Sequence, residues 1–184
     1  MKSNTEYPNS LNADPAKLLK AAGILKTIKR QGWITSGGIA SPESVADHSF
    51  RMAIIGAYLS ETKDLDSSKV MRMCLIHDLA ESEIGDMTPE EKVSEKKHRE
   101  LEDKVARSIF ALLPSKSRKV FLDDWIELLG KKGRESRLVW QIDKLEMGLT
   151  MKDYINAGRN PSRLKRFNPS RFLSKDLRAM FNKY

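Results

Sequence analysis

The stretch from Met71 to Asp86, Met-Arg-Met-Cys-Leu-Ile-His-Asp-Leu-Ala-Glu-Ser-Glu-Ile-Gly-Asp, constrains the fold more than any other part of the chain. Val70, Met73, Cys74, His77, Glu81 and Ile84 recur at three- and four-residue spacing. The segment therefore reads as an amphipathic helix with His77 and Glu81 on its apolar stripe. An imidazole and a carboxylate on a buried face cost free energy unless something compensates them. A divalent cation does so economically, because it accepts neutral imidazole nitrogen and carboxylate oxygen together. Taken alone, the same residues also fit a core histidine bonded to a backbone carbonyl, with Asp78 facing solvent.

A second helix repeats the pattern. Ser41-Pro42-Glu43 opens it, and Val45, His48, Met52, Ile55 and Leu59 follow at alternating spacing, which directs His48 inward. The chain has 3 histidines, so two of them on apolar helix faces exceed compositional noise. His98, flanked by charges from Glu95 to Glu100, reads as exposed and non-ligating.

The remaining segments are helical too. Asp14-Pro15 caps a first helix with the stripe Leu18, Ala22, Leu25 and Ile28, and Gly32 stops it. Residues 31–42 read as a glycine-rich loop that carries Trp33 just after Lys29 and Arg30. Trp33 serves there either as a binding residue or as a lid on the core. The opening stretch lies on a helix over 67–83. Thr88-Pro89-Glu90-Glu91 is a capping box for a charged helix that runs to Leu113. Pro114-Ser115 precedes a helix bearing Trp125, and a further helix spans 135–157. Asp143 lies at the edge of that helix's buried face, with Val139, Glu146 or Met147, and Thr150. In isolation it reads as a boundary acid paired with Lys144 or Arg137. A short helix with Leu173, Leu177 and Met180 closes the chain. No stretch alternates with period two, so the expectation is an all-α bundle of about six to seven helices and no sheet.

The bulk properties narrow the class. The 184 residues suit one domain, 1–184, and 40% hydrophobic content excludes wholesale disorder. No run approaches the ~20 apolar residues of a membrane span. Met1 to Pro8 lacks the apolar core of a signal peptide. The single cysteine, Cys74, cannot form an internal disulfide and suits a reducing compartment, the cytoplasm. The net charge of +8 is uneven: residues 159–184 carry eight basic side chains against one acid, Asp176. That tail is the only segment expected to touch nucleic acid, unless it is simply a solvated helix face.

His48, His77, Asp78 and Asp143 suit a borderline or hard divalent ion: Mn, Co, Zn, Ni, Fe or Mg. Four protein ligands leave coordination positions open, which marks a catalytic site. The order His48, His77-Asp78, Asp143 resembles the H…HD…D signature of the HD-domain metal-dependent phosphohydrolases, an all-helical family. Pro42 to Ser49, His77 to Glu81, Gly85-Asp86 and Gln141-Ile142-Asp143 look like its 5′-deoxynucleotidase branch, over residues 15–157.

The resemblance implies hydrolysis of deoxyribonucleoside 5′-monophosphates to deoxynucleosides and phosphate. It makes His48, His77, Asp78 and Asp143 the metal ligands, Glu81 the acid that assists the attacking water, and Asp86 a second acid near the substrate. Arg30 and Trp33 would hold the phosphate and the nucleotide; bacterial members have this pair adjacent, whereas Gln31-Gly32 separates it here. The resemblance also implies a homodimer, with the exposed side of the Trp125 or Trp140 helix as candidate face. The same site acting on a triphosphate, a cyclic or another nucleotide is the nearest alternative. A non-catalytic nucleic-acid-binding module with a structural metal is another. Oxidative chemistry at two metals calls for more histidines than the chain has. The tail holds no candidate ligand, so it is expected to be separable from the body, although Leu173, Leu177 and Met180 cover part of the core.

Overall fold

A computed structural model describes residues 14–88, 90–91 and 94–184. Among them the chain is helices and turns, apart from one isolated antiparallel bridge between Lys29 and Ser44. The all-α expectation holds. In order, the helices are α1 (Ala16–Leu25), α2 (Gln31–Thr35), α3 (Val45–Thr62), α4 (Ser67–Ile76), α5 (Glu81–Ile84), α6 (Glu95–Phe110), α7 (Ser115–Gly130) and α8 (Arg134–Asn156). Then come α9 (Pro161–Leu164), a 3₁₀ turn (Lys165–Phe167) and α10 (Lys175–Lys183).

Several boundaries depart from the sequence pattern, each for a local reason. Asp14 accepts the amide of Ala16 and starts α1 as expected, but α1 ends at Leu25, and residues 26–30 lead into the bridge with Ser44. The loop expected over 31–42 begins with the short helix α2, which carries Trp33, 2% exposed, into the core. Helix α3 starts at Val45, where Ser44 and Asp47 cap each other reciprocally. The helix expected over 67–83 is two pieces, α4 and α5, and Gly85 ends the second at φ +80°.

Thr88 donates its amide to Glu91 at 2.7 Å, yet α6 begins only at Glu95, capped by Ser94. Pro89, the proline of that box, lies outside the described residues, as does the stretch Met1 to Pro8. His98 corrects the exposed reading: it is 8% exposed and sits 2.9 Å from Glu102, one turn on. Its charged neighbours face solvent, but His98 itself shares the buried stripe of Val105, Ala106 and Ile109.

Two apolar clusters form the core. One joins Met52 of α3, Met73 and Cys74 of α4, and Ile142 and Leu145 of α8. The other joins Leu25, Val45, Ile76, Ile109, Phe110 and Trp125, and Leu128 of α7 packs against both. The C-terminal segment belongs to the first cluster, with Leu173, Leu177 and Met180 covering part of the core as expected and Leu164 and Phe181 adding to it. Leu164, Leu173, Leu177 and Phe181 are all buried in it. Gly148 admits the segment to α8, since a Cβ there would lie 2.5 Å from Pro169. Ser174 donates its amide to Gln141 and Lys152 bonds the carbonyl of Phe181.

On the helices whose exposed sides were a candidate dimer face, Trp125 is 2% exposed and donates to Asp103, while Trp140 packs edge-to-face with Phe172. A further exposed apolar ridge lies on α3, at Phe50 (66%), Ile54 (58%) and Tyr58 (59%). No described helix is long and apolar enough to cross a membrane.

Candidate metal centre and its cleft

The first turns of α3, the last turn of α4 and the middle of α8 converge between the two core clusters. His48 enters from α3, fully buried. Its Nδ1 faces the buried carboxylate of Glu146, one turn beyond Asp143 on α8. Burial opposes the charge of Glu146, but His48 and Arg51 outweigh it and hold the carboxyl below its usual range. Arg51 Nε (2.9 Å) and Thr150 Oγ1 (2.9 Å) both donate to it. An ionised carboxylate accepts, so Nδ1 of His48 carries a proton. Burial and Arg30 oppose a charge on the ring, but the carboxylates of Glu146 and Asp143 outweigh them and raise its pKa to about 9, so a cation bound at Nε2 would take the place of a proton there.

His77 follows the same logic. It ends α4 and donates Nδ1 to the carbonyl of Cys74 at 2.8 Å, which leaves Nε2 to the site. Beyond it the chain tightens into bonds three residues apart, Leu79 to Ile76 and Glu81 to Asp78. This turn brings Asp78 beside His77 instead of out to solvent: Oδ2 lies 3.0 Å from His77 Nε2 and 4.0 Å from His48 Nε2. Asp143 Oδ1 is 3.5 Å from His48 Nε2, and its Oδ2 pairs with Lys144 at 2.9 Å.

The donor atoms of His48, His77 and Asp78 lie within 4.8 Å of one another. Nε2 of both histidines is buried with no hydrogen-bond partner among the described residues. Two buried imidazole nitrogens without a hydrogen bond thus face the carboxylates of Asp78 and Asp143, an arrangement that a cation among them would satisfy. The residues present fit a divalent ion. Glu43, His48 and Glu146 also cluster, but there Glu146 is already bonded by Arg51 and Thr150.

A cleft of about 410 Å³ opens beside this set, lined by Arg30, Asp78, Glu81, Asp86 and Asp143 among others. Arg30 reaches Asp78 at 3.1 Å; burial opposes its charge, but Asp78 and the neighbouring carboxylates outweigh that and keep it protonated. Burial, then Asp78 and Asp86, push the Glu81 carboxyl well above its usual range, and its Oε2 is buried without a hydrogen bond. Asp86 accepts the amide of Gln31, the first residue of α2, and so ties the loop bearing Arg30 to the end of α5. Trp33 lines the cleft only at its edge. Its Nε1 donates to Glu43 at 3.0 Å and its ring lies between Tyr154 and Phe167.

All eight residues expected at the site thus surround one cleft or one cluster. Glu146, Arg51 and Glu43 were not anticipated as parts of it. Glu146 did share the buried stripe of α8 with Asp143, and a buried histidine in need of an anionic partner was the available signal.

The comparisons with known proteins agree with this geometry. A model of the HD domain matches residues 22–180, which take in the C-terminal segment as well as the motifs. The chain is 37% identical over 145 residues to the 5′-deoxynucleotidase HDDC2 of Dictyostelium discoideum, covering 75% of this chain and 76% of that protein. Identity to the human protein of the same name is 34% over 155 residues, covering 84% and 74%. Among solved structures, a conserved hypothetical protein from Pyrococcus furiosus superposes with a TM-score of 0.72 at 29% identity, covering 90% of this chain and 96% of that one. A predicted metal-dependent phosphohydrolase from Magnetospirillum magnetotacticum gives 0.66 at 25%, covering 91% and 89%. Motif, helical architecture and matches all lead to one assignment: the chain belongs to the HD-domain family.

Proposed function

We propose that the protein is a divalent-metal-dependent phosphomonoesterase that hydrolyses deoxyribonucleoside 5′-monophosphates to deoxynucleosides and phosphate. One observation carries the reading: the donor atoms of His48, His77 and Asp78 meet beside a partly buried, permanently charged arginine. The curated relatives named 5′-deoxynucleotidase support the substrate class. His48, His77, Asp78 and Asp143 would hold the ion. Once bound, it supplies Lewis acidity to a phosphoryl oxygen and a positive charge that favours the ionised form of Glu81.

The chain's own residues do the rest. Arg30 offers a planar, bidentate grip on the phosphate in place of its contact with Asp78. Glu81 takes a proton from the water that attacks phosphorus, while the bond to the 5′ oxygen breaks; that oxygen takes up a proton from solvent and leaves as the hydroxyl of the deoxynucleoside, and Glu81 gives its proton back to solvent. Asp86 keeps Arg30 in place through Gln31, and Trp33 lines the edge of the cleft. A homodimer belongs to the reading as well, with the α3 ridge of Phe50, Ile54 and Tyr58 as its surface.

The test is a phosphate-release screen of deoxy- and ribonucleoside 5′-monophosphates against a panel of divalent metals. Release from deoxynucleotides with at least one metal, abolished by a chelator, is expected. No release from any nucleotide with any metal overturns the reading.

A further inference from the structure

The C-terminal segment, which carries none of the family motif, forms one wall of the cleft. It is pinned at Leu164, at Pro169 against Gly148 and again at Leu173, all buried, so residues 165–172 form a strap held to the body. Arg166 ties the strap to the opposite rim: its guanidinium donates to Ser36 at 2.7 Å and to Glu90 at 2.8 Å. Phe167 and Phe172 line the cleft from this strap. Trp33 covers one face of Phe167, with ring centroids 4.1 Å apart. Phe172 is held by the Arg171 guanidinium at 4.5 Å and by the edge of Trp140 at 5.9 Å. Neither ring is fully buried, and each is held by an aromatic neighbour.

The cleft therefore combines an anion-binding wall, Arg30 and the metal donors, with an aromatic wall from the strap. A phosphate joined to a flat heteroaromatic ring satisfies both, and about 410 Å³ is ample for a mononucleotide. We infer that Phe167 and Phe172 form the nucleobase subsite, so that the strap, rather than the motif-bearing helices, sets the affinity for the base. The inference rests on the phosphomonoesterase reading above. Stacking on an aromatic ring tolerates any base, so the subsite grips purines and pyrimidines alike and favours the larger ring.

The test uses the full-length, metal-loaded protein and two probes, a deoxynucleoside 5′-monophosphate and 2-deoxyribose 5-phosphate, which lacks only the base. Phe172→Ala should raise KM for the nucleotide roughly five- to hundredfold, with the larger rise for purines. The inhibition constant of 2-deoxyribose 5-phosphate against the nucleotide should stay put. Phe167→Leu, which keeps Trp33 covered, should behave in the same way. If both constants rise together, the strap only supports the fold; if neither moves, the base lies elsewhere. Either result overturns the inference while leaving the hydrolase reading intact. A wild-type protein that releases no phosphate from the nucleotide sinks that reading, and the inference with it.

Discussion

Glu146, buried, and Glu81, partly buried, both stand at the metal centre, and their partners separate their roles. Glu81 has an oxygen without a hydrogen bond that lines the cleft, whereas Glu146 is bonded to His48, Arg51 and Thr150. Glu81→Gln should therefore keep near-normal metal content while turnover falls by about 10²–10⁴. Glu146→Gln should instead weaken metal affinity by about 10–100-fold, because His48 loses the anion that orients its ring, and turnover should recover when metal is raised to saturation. Metal-buffered titrations paired with turnover measurements distinguish the two. Equal loss of metal in both variants would make Glu81 a ligand. Glu81 was legible from its spacing to His77. Glu146 was not, because a one-residue shift in helix phase puts Met147 in its place.

At the scale of elements, two features decide the site. The helix carrying His77 is interrupted at His77 rather than running to Glu83, and the tight turn that follows turns Asp78 toward the imidazole. The C-terminal segment docks on α8 and supplies four buried apolar side chains, Leu164, Leu173, Leu177 and Phe181. Each is worth about 1.5–3 kcal/mol on full burial. Their sum is comparable with the ~5–15 kcal/mol that holds a typical domain together. Truncation after Gly158 is thus expected to give an insoluble chain or one without a cooperative thermal transition. Circular dichroism melting checks this. A truncated protein that melts at the full-length temperature would show that the segment is an appendage after all.

For the whole molecule, the open question is assembly. Phe50, Ile54 and Tyr58 are spaced four residues apart on α3, and a two-fold axis through Ile54 would set Phe50 of one copy against Tyr58 of the other. Exposed apolar patches of this kind mark contact surfaces more often than accident. Sedimentation equilibrium should give the mass of two chains for the wild type, and of one for the double variant Phe50→Glu, Tyr58→Glu. A wild-type protein with the mass of one chain removes the dimer from the reading.

The sequence by itself determined the helical class, the inward histidines and the acid one turn beyond His77, because a 3.6-residue period maps directly onto which side chains share a face. The ligand order and its family resemblance were legible for the same reason. Tertiary structure alone decided the partner that orients His48, the burial of His98, and the place of the basic tail. Glu146 meets His48 across 98 positions of chain, and Phe167 meets Trp33 only because the segment beyond Gly158 folds back over α8. Periodicity carries no information about contacts between elements so far apart. It names the face of a helix that is buried, and leaves to packing the question of what lies against it.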